Sequence, residues 1–415
     1  MPSNALATRE ISRIEFIALL AAIMSLNALA IDVMLPALPQ MGEALGVATE
    51  NERQFVIAAY MLGFGGAQLA FGPISDRYGR RAPLVVGLVI YIACACGAAF
   101  APDFTTLLVL RAVQGVGASA TRVIANSVVR DRFTGRAMAE VMSLIFMVFM
   151  AVPVIAPGLG QLLLLVSPWP ALFVFMAALA AVFGLWALLR LPETLDPARR
   201  RPLTVAAVTG GFSAVFANRM AFSYGLAGMF LYGALVGFIN TAQQIYVDVF
   251  GLGVWFPVAF AAVAGLMALS SFLNSRIVRH LGMRRLSHGA VLVFTGVSAV
   301  WLALSLVGIM PLGLFLVLHA AIMFTFGWAA SNMNSLSMEP LGAVAGTASS
   351  VFGFIQTVGG VVLGTVIGQA FDGTLVPVAG GYFVMGALAL CAILVAEHGR
   401  LFGVGREYEP PGSGH

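Results

Sequence analysis

Gly72-Pro73-Ile74-Ser75-Asp76-Arg77-Tyr78-Gly79-Arg80-Arg81 is the stretch on which the fold turns. It is a short, charged segment between two apolar runs, residues 54–74 and 82–101. Each run has the roughly 20 apolar residues that a helix needs to cross the hydrocarbon of a bilayer. Working outward, apolar runs between charged or Pro/Gly breaks give ten more. They are 14–37, 104–126, 138–163 and 168–190 on one side of the chain's middle, then 220–247, 254–275, 286–307, 311–337, 344–369 and 377–397. A membrane barrel would instead show short segments of alternating polarity.

Composition agrees. Of 415 residues, 60% are hydrophobic and 10% charged, and the mean hydropathy is +0.96. A soluble domain is nearer half apolar and a quarter charged. The start of the chain carries Arg9, Glu10, Arg13 and Glu15, and the first apolar run is too long for a signal peptide, so it reads as a retained span. Cys94, Cys96 and Cys391 fall inside spans, without metal-ligand spacing or a disulfide framework.

All 22 basic residues are arginine. With the first residue placed in the cytoplasm and sides alternating, 19 arginines lie in cytoplasmic segments, only Arg53 lies opposite, and Arg111 and Arg122 lie within a span. Lys and Arg favour short cytoplasmic loops, so this asymmetry predicts both termini inside and an even number of spans. A nucleic-acid partner is excluded, because the basic residues are spread over loops at helix ends.

Leu191–Thr204 reads LPETLDPARRRPLT, the longest polar stretch between runs. It divides the chain into a six-helix bundle at 1–190, a cytoplasmic linker at 191–218, a second bundle at 219–400 and a tail at 401–415. A weak repeat supports the division: SDRYGRRAPL after the second run is echoed by RHLGMRRLS, Arg279 to Ser287, after the eighth. Parallel six-helix repeats with a midplane site between halves are a common plan of secondary transporters.

Residues 72–81 match the loop pattern G-x-x-x-D-R-x-G-R-R of the major facilitator superfamily, which the chain resembles over nearly its whole length. Further motifs are similar to those of twelve-span drug/proton antiporters of the Bcr/CflA drug-resistance type. They are Ala30–Pro39 (AIDVMLPALP), Leu110–Gly117 (LRAVQGVG) with Val129–Arg132, Ala156–Gly160 (APGLG), and Ser337–Pro340 with Ala345–Ser350. The resemblance implies an all-α integral membrane protein, twelve helices in two pseudo-symmetric bundles, working as a monomer in the bacterial inner membrane. It implies a proton-coupled multidrug efflux antiporter with drug and protons as partners, no cofactor or metal, and no enzymatic activity. It also makes Gly72, Asp76, Arg77, Gly79, Arg80 and Arg81 a conformational latch whose partner is the start of span eleven, near Gly346 and Thr347.

Asp32 is the only acid well inside a span, and an intramembrane acid is a functional candidate by default. Burial and a nearby guanidinium act on a carboxyl in opposite senses, so a group balanced between them can gain and lose a proton. Arg111 lies about seven residues, roughly 11 Å, from its end of span four, and Asp32 about five residues, roughly 8 Å, from its end of span one. Their depths predict contact or a water bridge, and family likeness gives Arg111 a part in proton coupling. Gln114, one turn on, joins the same polar cluster. Arg122 follows Arg111 by eleven residues, about 20° off the same helix face. It is expected to face the same cavity near its cytoplasmic mouth, there to draw an anionic solute, to pair with Asp131 or Glu140, or to snorkel to the interface.

Pro153, Pro157, Gly158 and Gly160 are expected to interrupt span five, and Gly360, Gly364 and Gly368 to let span eleven pack closely. Tyr60, Met61, Asn240, Gln244 and Gln356 are candidate cavity liners beside Asp32, Gln114 and Arg122. Gln68, Gln243, His319 and Asn332 are further polar residues, for which packing is the plainer explanation. No Walker loop, G-x-S-x-G or H-E-x-x-H is present, which leaves an ion or solute gradient as the energy source. The alternative functions are a facilitator or symporter for a metabolite, an anionic one where Arg122 faces the path, and a membrane receptor or enzyme.

Overall fold

A computed structural model describes residues 11–133, 135–200 and 205–402. Arg9, Glu10, Arg201 and residues 403–415 of the expected tail lie outside them, as do the side chains of Arg136, Gly346 and Thr347. The described residues form helices and turns with no strand. Among the described residues, twelve helical stretches are long and apolar enough to cross a membrane. Spans one to six are Arg13–Ala44, Glu50–Tyr78, Arg81–Ala98, Phe104–Arg132, Glu140–Val166 and Pro170–Arg190. Spans seven to twelve are Arg219–Val249, Gly253–Leu281, Met283–Leu306, Leu312–Leu341, Ala348–Gln369 and Val376–Ala396.

Within each half the spans pack in the same scheme. Two lies on four and three on four and six; seven lies on ten, eleven and twelve, and nine on ten and twelve. The halves meet along two seams, five against eight and two against eleven. Small residues make the second seam close. A Cβ on Gly65 would meet Thr357 and Val358, and one on Gly353 would meet Gln68.

The chain departs from expectation in four places. Span one does not end at residue 37: its first helix stops at Asp32, a 3₁₀ turn covers Leu35–Ala37, and a second helix runs Leu38–Ala44. Pro36 and Pro39 fall at the starts of these pieces, where a missing N–H is tolerated. Span four continues to Arg132, which puts Arg122 deeper than a mouth position. Pro153 and Pro157 do not interrupt span five, which lies in one helix, Gly135–Val166. The second part of the linker holds a helix, Val205–Ala217, whose Val215 packs with Ala348, Val351 and Phe352 of span eleven. Span eleven is itself uneven, with a π-helical turn at Ile355–Gly359. π-turns often mark functional positions.

Candidate functional site

The arginine-rich ends of the spans carry a clamp. Span two finishes with Gly79 at φ +92° as the loop turns, a conformation that L side chains rarely adopt. A Cβ there would also meet the carboxylate of Glu193, which follows span six. That carboxylate accepts from the backbone N–H groups of Arg80 (2.9 Å), Arg81 (3.1 Å) and Leu195 (3.0 Å). Arg80, 4% exposed, pairs with Asp76 at 2.6 Å and with Asp131, at the end of span four, at 2.8 Å. Arg81 donates to the Leu188 carbonyl, and Arg77 lies 5.5 Å from the Tyr78 ring. Burial pushes the Glu193 carboxyl up, but the backbone N–H bonds outweigh it and hold the group below the usual range. Asp131 is therefore the partner of Arg80, and Glu140 that of Arg13 at 2.7 Å; neither pairs with Arg122. Gly72 faces Ser350 of span eleven, one short step from the expected latch partner.

The second half repeats the clamp with other residues. Gly282 takes φ +79° after span eight. Arg284 pairs with Glu397 (2.8 Å), which also accepts from the Tyr224 hydroxyl (2.7 Å).

Arg111 and Asp32 share no hydrogen bond or ion pair, so the direct contact that was one of the two expected arrangements is absent. Span one turns after Asp32 and leaves its last carbonyls without helical donors, as every helix end does. Arg111 takes one of them, donating to the Ala30 carbonyl at 2.8 Å, to Gln114 Oε1 at 2.8 Å and to the Val56 carbonyl at 3.2 Å. Its guanidinium lies 4.4 Å from the centre of the Tyr60 ring, and the Tyr60 hydroxyl donates to Asn27 at 3.1 Å. Tyr60 and Met61 are buried. Matching depth along two helices left their rotation undetermined, and rotation separates Asp32 from Arg111.

Asp32 has no hydrogen-bond or ion-pair partner among the described residues, although it is 5% exposed. Arg122 has none either; its nearest aromatic face is Phe64, at 5.9 Å. Both side chains lie within electrostatic reach of the Tyr232 hydroxyl, which belongs to span seven of the other half. An unpaired acid and an unpaired base of the first half thus each interact electrostatically with one tyrosine of the second, without a direct bond between any two of the three. Gln356, on the π-turn of span eleven, neighbours Gly228 of span seven. Gly160 of span five approaches the backbone at Val33, directly after Asp32, whereas Gly158 has nothing nearby. Gly360, Gly364 and Gly368 all make the expected close approaches, to Tyr232, Val236 and Asn240 among others.

At the arginine-poor face the halves are stitched together. Gln54 donates to Gln244 (2.7 Å) and to the Gly368 carbonyl (3.1 Å). Asn51 donates to the carbonyls of Gln369 (3.1 Å) and Phe371 (2.7 Å), and accepts from Gln244 (2.9 Å). Gln244 is therefore held in this stitch. Asn240 lies beside it, buried. Near the midplane Gln68 donates to Thr357 at 3.2 Å.

Two bundles, the clamp at residues 72–81 and an unpaired acid between the halves meet a family model, Major Facilitator Superfamily, that matches residues 20–364. The chain belongs to this superfamily. A bicyclomycin resistance protein homolog of Haemophilus influenzae is 26% identical over 383 residues, covering 91% of this chain and 94% of that protein. Multidrug resistance protein MdtL of Klebsiella pneumoniae is 30% identical over 330 residues, covering 79% and 82%. These names agree with the Bcr/CflA resemblance read from the motifs. A D-xylose–proton symporter shares the fold, with TM-score 0.71, 14% identity and coverage of 92% and 97%. The chain is a multi-pass membrane transporter and not an enzyme. Asn51, Gln54, Glu193 and Tyr232 are the residues that the sequence did not single out. The one signal for Glu193 was its position in LPET, immediately after the span whose Arg190 it follows.

Proposed function

We propose that this protein is a proton-coupled antiporter that exports small amphipathic drugs by alternating access. It sits as a monomer in a bacterial cytoplasmic membrane, with its arginine-rich face and both termini inside. The reading rests on one observation: Asp32 is buried between the halves with no cation against it. A carboxyl so placed can be neutral or ionised, and an acid kept inside a membrane bundle is a functional expectation. Proton loss inward frees the carboxylate to accept a drug from the cytoplasm or inner leaflet. Rocking exposes the site outward, where reprotonation expels the drug. Gly160 couples span five to the turn after Asp32. Arg111 acts at one remove, by fixing the backbone that presents Asp32. The latch at Gly72, Asp76, Arg77, Gly79, Arg80 and Arg81 opens and closes the cytoplasmic side.

The test is drug-driven proton movement in proteoliposomes. Asp32→Asn is expected to abolish drug-dependent proton flux while leaving drug binding measurable. Full flux in this variant would sink the assignment. The unpaired Arg122 favours a second reading, a facilitator or symporter for an anionic metabolite. Uptake stimulated by an inward proton gradient, and lost in Arg122→Gln, would select it.

A further inference from the structure

The second half contains a group of buried polar atoms that the transport cycle above does not use. His319 lies two turns into span ten from the arginine-poor face and has no accessible surface. Aromatic rings surround it. Phe238 of span seven lies at 4.1 Å between ring centres, Phe315 at 5.5 Å, Trp301 of span nine at 5.9 Å and Tyr382 of span twelve at 5.9 Å. Tyr246 of span seven closes the ring, 5.6 Å from Phe315 and 6.0 Å from Phe238.

An aromatic box is commonplace in a membrane bundle; its polar edges are not. Both ring nitrogens of His319, Nε1 of Trp301 and the hydroxyls of Tyr246 and Tyr382 are buried, and none has a hydrogen-bond partner. Stranding one such atom is unfavourable, and stranding five would remove free energy comparable with the whole net stability of a typical fold. Among the described residues no acid or arginine bonds the histidine ring to supply a charge; the titratable group packed against it is Tyr382, with Tyr246 one ring further, against Phe315. The guest must therefore be neutral. It must also donate and accept, since Trp301 offers only a donor, a neutral histidine offers one donor and one acceptor, and a tyrosine hydroxyl does both. Trp301 and Tyr382 pack edge to face with ring centres 5.3 Å apart, so the guest must be small and sit at the polar edges of the rings, not between their faces.

We propose that the arginine-poor third of the second half contains a buried water site centred on His319 and bounded by Trp301, Tyr246 and Tyr382. About two waters, each making about three bonds, satisfy the five atoms. His319 is thereby a neutral water ligand instead of a proton carrier. The site also touches the stitch between the halves. Tyr246 and Gln244 share one π-helical turn, Gln244–Val249. Water, unlike a fixed side-chain partner, lets that turn shift while the Tyr246 hydroxyl keeps a bond.

X-ray hydroxyl-radical footprinting of the full-length protein in nanodiscs tests this, because bound water makes radicals beside buried side chains. Phe16 and Phe173 are almost completely buried, carry no polar side-chain atom and serve as dry controls. His319, Trp301, Tyr246 and Tyr382 are expected to oxidise severalfold faster than the controls. Oxidation at the control rate overturns the proposal without any variant. In His319→Leu, folded as judged by its melting curve, the Trp301 and Tyr382 rates are expected to fall severalfold, and in His319→Asn to be largely kept. Unchanged rates in the folded leucine variant also overturn it.

Discussion

Replacing Arg111 with methionine tests whether this arginine builds the site or only tunes it. The side chain keeps its apolar stem and loses three donors. The acceptors left behind are the Ala30 carbonyl and Gln114 Oε1, each at 2.8 Å, and the Val56 carbonyl at 3.2 Å. At about 1–3 kcal/mol for each buried group left unpaired, the loss is about 3–9 kcal/mol. Hydrogen bonds measured between membrane helices are weaker, about 0.6 kcal/mol on average, which sets a floor near 2 kcal/mol. Two terms act on the net in opposite senses. A buried guanidinium without a carboxylate is itself unfavourable, and its removal relieves that. Its stacking on Tyr60 at 4.4 Å is lost as well, about 0.5–2 kcal/mol. The balance sits close to the floor, about 2 kcal/mol of destabilisation. For a bundle the size of one half, that is a fall in melting temperature of about 4–8 °C. Thermal unfolding of purified protein, followed by tryptophan fluorescence, measures it. Arg111→Lys, with three donors on a flexible stem, is expected to fall between. If Arg111→Met melts with the wild type and loses only proton coupling, the structural role argued here is wrong, and Arg111 acts on Asp32 by charge alone.

The other predictions are smaller or more local. Gly364→Val is expected to destabilise by about 1–3 kcal/mol, since a Cβ there meets Val236 and the Gly237 backbone, while Gly158→Ala, with open space around it, is expected to gain about 0.5–1 kcal/mol; paired melting curves separate them. Gln54→Leu removes three bonds of the stitch, so a cysteine introduced by Asn240→Cys, in a background without Cys94, Cys96 and Cys391, is expected to react severalfold faster with an impermeant thiol reagent at the arginine-poor face. Unchanged labelling would mean that the stitch does not hold that face shut. Because the Glu193 pKa is held low, its contribution is complete above the ordinary glutamate value, about 4.3, and is lost only as pH falls through the lower folded value. A melting curve taken against pH should therefore lose this step in Glu193→Gln, while staying unchanged in slope near neutrality.

The twelve spans were legible because every crossing repeats the same demand for about 20 apolar residues. Length and hydropathy carry no information about rotation, and rotation decided the site. Asp32 and Arg111 matched in depth, yet one faces the seam and the other the interior of its own half. The break after Asp32 was hidden because Pro36 and Pro39 read equally well as the end of a span and as the starts of further turns. The linker helix Val205–Ala217 was hidden because it is apolar but too short to cross. Glu193 acts on backbone groups more than a hundred positions earlier, a partnership that its place in LPET does not specify. Gly79 was found as a motif letter, and its positive φ and the carboxylate beside it supply the reason for the letter.

The clamp around Glu193 also bears on how the chain is made. Its bonds close on partners no later than Leu195: Arg80 on Asp76 and Asp131, the loop N–H groups on Glu193, Arg81 on Leu188, Arg190 on Glu15. A nascent chain emerged from the ribosome to that point already holds both ends of every one of them. The first bundle can therefore lock its loop before the second bundle has been translated, and a lesion in the clamp would first be felt as a fault of membrane insertion, ahead of any fault of transport.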